Sequence, residues 1–564
     1  SSCNTRIRVT LNRSDSGRGR KQQAEVWERP FDTSMEELQN EVALRNSDDE
    51  TRGAEEKKSG PVSQQDMPPL WGGGWRPEAP LEFSSALPQE TARSELMRFL
   101  VERHDGHVES AHECWNSLNP PERFNGKSFH EFCELFCDSF ERRLTERIYE
   151  PGLATLATEE IIPRRTGIDY LDRRAIRMMR DVALCLRRIA YTAAITVDDR
   201  FEWQRWMHRT RALDEHLKDL FMNGVKTPDG SQFGGKGFRS TWQEGVVACA
   251  TSMTRAIDLD DDSISIADVV APMIRDVGLA LSMGQTPLEI FNAQMGKSDS
   301  YMDGGIDSAG GRDLHVGNWH KRVLPPTAPL PIASATATGV ALAANRLGTA
   351  RFHLAPVGEG CSSSGEFWEA MNLAGARGLP ISFMIQNNQI ALDTFTVGQS
   401  GAETFGDKGH SMGIPSWSID GSDPAEFHIS TAVAREFALD GGGPTLIHVE
   451  TMRGCGHAHH HDDLYLGATS GNPPGYVDRD LLTYWSEKDP LPNHRELLIR
   501  LGVSEKKLTK MEAEEQAMVD AARQEMEESA WPEGNTVTKG VTSLHDASTH
   551  SEQFERFGIS LSGG

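Results

Sequence analysis

An α/β fold, with a parallel sheet flanked by helices and an N-terminal helical extension, is predicted by three features of this 564-residue chain. Short β-branched or apolar runs alternate with helix-period segments between about 240 and 450, the pattern of a parallel sheet with crossover helices. Ahead of that block, apolar residues recur at three- and four-residue spacing, as on helices with one buried face. A strand beginning at Phe352 then runs into a Gly-x-Gly turn and a helix. A turn at the carboxyl end of a parallel strand is where open α/β sheets bind ligands.

In chain order, residues 1–95 read as a disordered leader and linker. Residues 1–24 carry Arg6, Arg8, Arg13, Arg18, Arg20 and Lys21 against one acid, Asp15, so both a basic tail and an organellar transit peptide remain open. Residues 45–95 are rich in charge, Pro and Gly, with little apolar periodicity. Structure is expected from near Ser94. The extension, 96–200, holds helices over 94–104, 128–147 and 170–194. In the second, Phe129, Phe132, Cys133, Phe136, Cys137 and Phe140 form one apolar face, and the two cysteines read as core rather than redox chemistry. A helix over 201–222, with Trp206, Leu213, Leu217 and Leu220 among its apolar positions, opens the domain assigned to 201–500. Its strands are expected at Phe352–Val357, Pro380–Ile385 and Thr445–Val449, and its helices at 334–347, 365–377 and 424–439. The remainder, 501–564, reads as a charged helix, Glu505 to Ser529, and a flexible tail from Trp531.

Composition excludes several classes. Acidic residues number 83 against 58 basic, a net charge of −25, whereas binding to phosphate backbones needs clustered Lys and Arg. Neither nucleic acid nor an anionic membrane is an expected partner. No stretch approaches the roughly 18 apolar residues of a membrane span. The 8 cysteines contain no C-x-x-C pair, which suits a reducing compartment and offers neither a disulfide framework nor a cysteine zinc site.

The chemistry concentrates between Gly358 and Asn388. The glycines of Gly358-Glu359-Gly360 let backbone approach a phosphate closely. Glu359 at the end of one strand and Asn388 at the end of its neighbour bring a carboxylate and an amide oxygen to one hard cation. Mg²⁺ typically takes one or two such protein oxygens and completes its octahedron with phosphate and water.

Gly-Glu-Gly followed after 26 residues (361–386) by Asn387-Asn388 resembles the thiamine diphosphate and Mg²⁺ motif. With Gly365-Glu366-Phe367-Trp368-Glu369-Ala370-Met371-Asn372, the chain resembles the alpha subunit of the decarboxylating component of 2-oxo acid dehydrogenase complexes, over roughly 201–500. Four further segments share the resemblance: Trp242-Gln243-Glu244-Gly245, Arg275-Asp276-Val277-Gly278, Gly311-Arg312-Asp313-Leu314-His315, and Arg453-Gly454-Cys455-Gly456-His457. The resemblance implies a thiamine diphosphate-binding fold. It assigns Mg²⁺ to Glu359, Asn388 and the carbonyl of Ile390, the diphosphate to Arg275, and the aminopyrimidine to Leu330. Gly358, Gly360 and Cys361 would contact the cofactor through backbone, and His457 and His315 would be catalytic. Cys361 is not read as a nucleophile.

Some features depart from the family. Ile274 and Val277 replace a tyrosine and a histidine, and Ala328 to Ile332 lacks the Ser, Thr and Gln side chains of a structural potassium site. Ala458 stands where mammalian relatives carry a phosphorylatable serine. The run His459-His460-His461-Asp462-Asp463 reads as a flexible active-site loop rather than a transition-metal site. The resemblance implies oxidative decarboxylation of a 2-oxo acid, branched-chain or pyruvate with a lean to the former, and acyl transfer to a lipoyl-bearing transacylase. The glutamate that activates the cofactor comes in this family from a beta subunit, so an α₂β₂ assembly is expected, inactive as a single chain. A non-catalytic paralogue serving as a binding or scaffold subunit is the alternative. The expected compartment is the bacterial cytoplasm, with the mitochondrial matrix as the other possibility.

Overall fold

The computed structural model describes residues 74–536 apart from 149–157, 261–262, 303–309, 350, 469–470 and 472–473. The basic leader, the linker as far as residue 73 and the tail from 537 lie outside the described residues.

The extension is helical, as its periodicity predicts. Helices α1 (Gln89–Arg103), α2 (Val108–Ser117), α3 (Gly126–Ile148) and α4 (Gly167–Ala194) build it, and α5 (Val197–Asn223) follows. Thr166 and Asp169 form a capping box at the start of α4, and Thr196 and Asp199 repeat it on α5. Each box satisfies backbone donors that the first helical turn leaves unpaired. The phenylalanine face of α3 is buried, with the Phe132 ring centroid 4.5 Å from that of Trp115 on α2. Cys137 lies in that core and burial pushes its thiol up to about 12, in keeping with a packing role. Residues 74–95 correct the expected linker. Trp75 is buried against Phe437, donates to Asp440 at 3.2 Å, and Leu87–Pro88 (β1) pairs with Arg123–Phe124 (β2). Single anchors of this kind leave no periodic trace, so Pro and Gly content dominates the sequence pattern.

The minor hairpins β3–β4 (Glu160–Ile162, Arg165–Thr166) and β5–β6 (Val225–Lys226, Gln232–Phe233) precede the main sheet. Its strands are β7 (Val269–Val270), β8 (His353–Gly358), β9 (Ile381–Asn387), β12 (Ser416–Asp420) and β13 (Thr445–Glu450), all parallel in the order β12-β13-β9-β8-β7. The hairpin β10–β11 (Ile390–Ala391, Thr394–Phe395) follows β9 directly. The helices around the sheet are α6 (Val277–Ser282), α7 (Pro287–Gln294), α8 (Ile332–Arg346), α9 (Gly365–Arg377), α10 (Asp407–Ser411) and α11 (Pro424–Leu439). Successive strand residues feed opposite layers, because the side-chain period of a strand is two. Phe383 and Ile385 join the core made by α8 and α9, whereas Met384 joins the core that contains α11. A sheet covered on both faces explains why its strands read as nearly continuous apolar runs.

The extension packs onto this domain. Arg187 on α4 grips Glu436 on α11 with two bonds of 2.8 Å, and Arg180 donates to the Gly413 carbonyl at 2.9 Å. Helices α12 (Asp462–Tyr465), α13 (Arg479–Ser486), α14 (Pro490–Arg500) and α15 (Glu505–Glu528) close the described chain. Helix α15, expected to have few apolar positions, buries Leu508, Met511, Val519, Ala522 and Met526, and it packs on α5 and α7. The first residues of the expected tail also dock: the Lys297 amine lies 4.0 Å from the Trp531 ring.

Candidate active site

The parallel register builds the site. Gly358 stands opposite Gln386 across β8 and β9, and Asn387 opposite Glu450 across β9 and β13. The residues just past these strands, Glu359, Asn388 and Thr451 to Arg453, therefore converge at one edge of the sheet. The Asn388 amide N–H donates to Glu359 Oε2 at 3.4 Å. A cavity of about 390 Å³ opens there, lined by Arg275, Leu330, Gly358, Glu359, Gly360, Cys361, Asn388, Ile390 and His457 among others. The sequence scattered these residues over more than 180 positions, and the fold collects them at a single opening.

Two glycines have distinct reasons. A Cβ on Gly360 would come within 2.6 Å of the Ala391 Cβ, so the turn and the β10 hairpin lie too close for a side chain. A Cβ on Gly358 would meet nothing nearer than the Met273 sulfur at 3.7 Å. The protein leaves that space to the cavity, as backbone approach to a ligand requires.

A chain of side-chain amides orients Asn388. Asp276 Oδ2 accepts from the Met273 N–H and from Gln386 Nε2, each at 3.1 Å. Gln386 is thereby turned so that its Oε1 accepts from Gln243 Nε2 at 3.4 Å, and Gln243 Oε1 in turn accepts from Asn388 Nδ2 at 3.2 Å. Donor follows acceptor at every step, so the Asn388 carbonyl oxygen is left over; it is buried and has no partner. An orphaned buried acceptor beside the Glu359 carboxylate could serve with it as a pair of hard oxygen ligands. Burial raises the Glu359 carboxyl above its usual range, against hydrogen bonds from its own backbone, Gln399 and Asn388 and the field of Arg275. A cation there would stabilise the charged form that burial disfavours.

Positive charge surrounds the same space. Arg275 is buried, and its guanidinium donates only to carbonyls, Arg239 at 3.1 Å and His457 at 3.4 Å. Arg453, also buried, reaches His457 Nδ1 at 3.2 Å and the Leu392 carbonyl at 3.3 Å, while its Nε has no partner. Among the described residues neither arginine has a carboxylate within ion-pair distance. Burial lowers the Arg275 guanidinium, and Arg453 lowers it further. Two buried cations without a counter-ion cost several kcal/mol unless an anion joins them, so the cavity fits a diphosphate. The same field and burial push His457 down to about 3, so its imidazole is neutral near pH 7 and accepts as well as donates.

His315 is not brought to this cavity. Its Nδ1 contacts Asp313 at 2.5 Å and its Nε2 faces the Lys236 amine at 3.4 Å, since the two-residue loop reach to Asp313 decides its direction. The histidine run is tied down rather than loose: His459 is buried against Phe221, and Asp462 binds Lys218 and Arg239. Cys361 is pushed up to about 11, largely by burial and then by Glu359, so its thiol is a weak nucleophile at pH 7. Sequence reasoning missed Asp276, Gln386 and Lys408 as parts of the site, and it held Arg453 only as the start of the motif that ends at His457. Lys408, buried without a carboxylate, donates to Ser362 Oγ at 2.7 Å and to the Ser362 carbonyl at 3.0 Å, and Ser362 Oγ donates to the Glu359 carbonyl at 2.6 Å. A signal existed for Gln386, a long polar side chain directly after the apolar run Phe383-Met384-Ile385 of a buried strand, which burial makes costly unless it is paired.

Comparison with known proteins shows which family the chain resembles. The dehydrogenase E1 component family matches residues 242–534. The pyruvate dehydrogenase E1 component subunit alpha of Bacillus subtilis (strain 168) is 34% identical over 223 residues, 38% of this chain and 56% of the relative. Its counterpart in Bacillus cereus is 36% identical over 183 residues, 32% and 46% of the two chains, and that of a Staphylococcus epidermidis strain 35% over 208 residues, 37% and 52%. The chain spans about half the length of these curated relatives. With more than half of its residues matched and the cavity lying within them, the chain belongs to the dehydrogenase E1 component family.

Proposed function

We propose that this chain is the alpha subunit of the decarboxylating component of a 2-oxo acid dehydrogenase complex. The observation that carries the proposal is the orphaned Asn388 oxygen beside Glu359, in a cavity that the buried guanidinium of Arg275 also lines, with Arg453 behind it in contact with His457. Glu359, Asn388 and the Ile390 carbonyl hold Mg²⁺, and Arg275 neutralises the diphosphate of thiamine diphosphate through charge-assisted bonds. Gly358 leaves room for the phosphates, Gly360 lets the turn close against the β10 hairpin, and Leu330 supports the ring system. The bound cofactor supplies the electron sink for decarboxylation. His457, held neutral by burial and by Arg275 and Arg453, would hold or pass a proton at its imidazole, and its basicity would rise where an anion offsets those two guanidiniums. His315, which is not among the cavity's lining residues and contacts Lys236, is kept as a secondary candidate for contact with the acyl acceptor.

The substrate class is a 2-oxo acid, and the relatives' names put pyruvate ahead of the branched-chain acids suggested by the local motifs. A beta subunit completes the site. Among the described residues Glu359 is the one carboxylate lining the cavity, so a second acid at the ring end has to come from elsewhere. Leu330 and Leu392 at the cavity, with Phe395 and Val397 on the adjoining hairpin and turn, are exposed apolar side chains, as a covered surface requires. An α₂β₂ assembly that passes its acyl group to a lipoyl-bearing transacylase follows from this reading, and the bacterial relatives support a bacterial cytoplasmic setting. No described helix is long and apolar enough to cross a membrane.

The test has two parts. Calorimetry of Mg²⁺ and thiamine diphosphate binding should lose its metal dependence in Glu359→Ala, and undiminished binding would overturn the site. Co-purification with a beta chain should then give decarboxylation of pyruvate, 3-methyl-2-oxobutanoate or 2-oxoglutarate with an artificial electron acceptor. Full activity from this chain alone would overturn the two-subunit reading.

A further inference from the structure

A second cavity, of about 620 Å³, opens where the α1–α2 turn, the end of α3, the first half of α4 and α10 meet. It lies outside the family's matched segment on three of its four sides, and the decarboxylation reading makes no use of it. Its polar wall is basic. Arg174 and Arg177 stand one turn apart on α4, with His104, His107 and His410 around them, and no carboxylate is among the described lining residues. In a chain of net charge −25 this is a local reversal of sign.

The neighbouring acids are already committed. Asp181 accepts from Arg180 at 3.0 and 2.9 Å and from the His104 side at 3.1 Å, and Asp407 holds Arg103 at 2.6 Å. Arg174 and Arg177 have no ion pair among the described residues, and Arg177 Nε is buried without an acceptor. Burial, and after it the neighbouring Arg180, lowers the Arg177 guanidinium. Leu144, Leu171 and Met178 supply an apolar wall. Guanidiniums present a fork of donors suited to phosphate oxygens, and an apolar wall beside such a fork favours an organic ester over a bare ion.

We propose that this cavity binds a small organic phosphate, with Arg174 and Arg177 on the phosphate and Leu144, Leu171 and Met178 on its apolar part. The site is joined to the first by one element: His410 lies two residues along α10 from Lys408, which holds the Glu359 loop through Ser362. Its occupancy does not depend on the activity proposed above.

The full chain is titrated by calorimetry with phenyl phosphate and with inorganic phosphate. Phenyl phosphate should bind at least about tenfold more tightly than inorganic phosphate, and R174A/R177A should weaken it by at least about tenfold. Arg275→Met, in the other cavity, should leave this binding unchanged. Equal binding by wild type and R174A/R177A, loss of binding in Arg275→Met, or no preference for the aryl ester would each overturn the proposal. Arg174→Ala alone, at an exposed helix position, gives a second reading if the double variant folds poorly: a loss of at least about threefold is expected, and none refutes the site.

Discussion

The two basic cavities hold their arginines in opposite ways. At the strand ends Arg275 and Arg453 are 5% and 0% exposed and donate to carbonyls and an imidazole. Beside α4, Arg174 is exposed to water, and Arg177 is only partly covered. A buried cation without a partner is costly, whereas one that reaches solvent is not. The strand-end site therefore holds charge that an anion would stabilise strongly, while at the helical cavity water already solvates most of Arg174 and part of Arg177. The first geometry favours a resident ligand, and the second one that comes and goes.

The contrast has measurable consequences. Arg275→Met removes the buried charge together with its donors. Thiamine diphosphate affinity should fall about a hundredfold, roughly 2.7 kcal/mol, while the ligand-free Tm holds or rises. A Tm that collapses with the binding would make Arg275 a structural residue. R174A/R177A should change neither the ligand-free Tm nor the cofactor affinity, since its side chains are not part of a buried network.

Asp276→Asn tests the amide chain. An amide at 276 can donate to Gln386 and reverse each bond in turn, presenting Nδ2 of Asn388 to the cation. Mg²⁺ affinity in the presence of cofactor should weaken about tenfold, roughly 1.4 kcal/mol, with little change for metal-free thiamine diphosphate. An unchanged Mg²⁺ titration would show that the chain does not orient the ligand.

A pH effect of smaller size is expected from His457. Its folded pKa, about 3, lies below the unfolded value near 6.5. The unfolded chain therefore takes up a proton there that the folded chain refuses, so stability is lost as pH falls from 6.5 towards 3. Allowing for the partial exposure of the ring, ligand-free wild type should lose about 1 kcal/mol relative to His457→Gln between pH 6.5 and 5. Parallel urea midpoints for the two proteins across that range would refute the assignment. Lys408→Met, which removes a support of the Glu359 loop but keeps its apolar stem, should cost about threefold in cofactor affinity, roughly 0.6 kcal/mol. A loss beyond tenfold would make the amine a direct phosphate ligand.

Much of the site was legible because its parts are local. Gly358-Glu359-Gly360 is a turn after a strand, Asn388 ends the next strand, and Arg453 to His457 follow a third. Each can be recognised within a few residues, and Gly358, Glu359, Gly360, Asn388 and His457 all border the cavity. His315 also sat in a recognisable loop, yet its ring turns to Asp313 two residues away, a local partner that the motif reading passed over. Asp276, Gln386 and Gln243 carried no shared local pattern. They matter because Asn388 and Gln243, 145 positions apart, meet in a hydrogen bond.

Trp75 and helix α15 make the same point for the fold. Trp75, among glycines and prolines, belongs to no sustained apolar period, and the apolar positions of α15 are outnumbered by its charges, so both read as solvent-facing. The alternation of strands and helices, the phenylalanine face of α3 and the turn chemistry at Gly358 were set by neighbours a few residues apart, and the amino-acid order was enough to determine them. Which strand ends lie side by side, which arginines lose their water, and which way an amide points were decided by tertiary contacts alone, because charge burial and hydrogen-bond direction depend on atoms that only folding brings together.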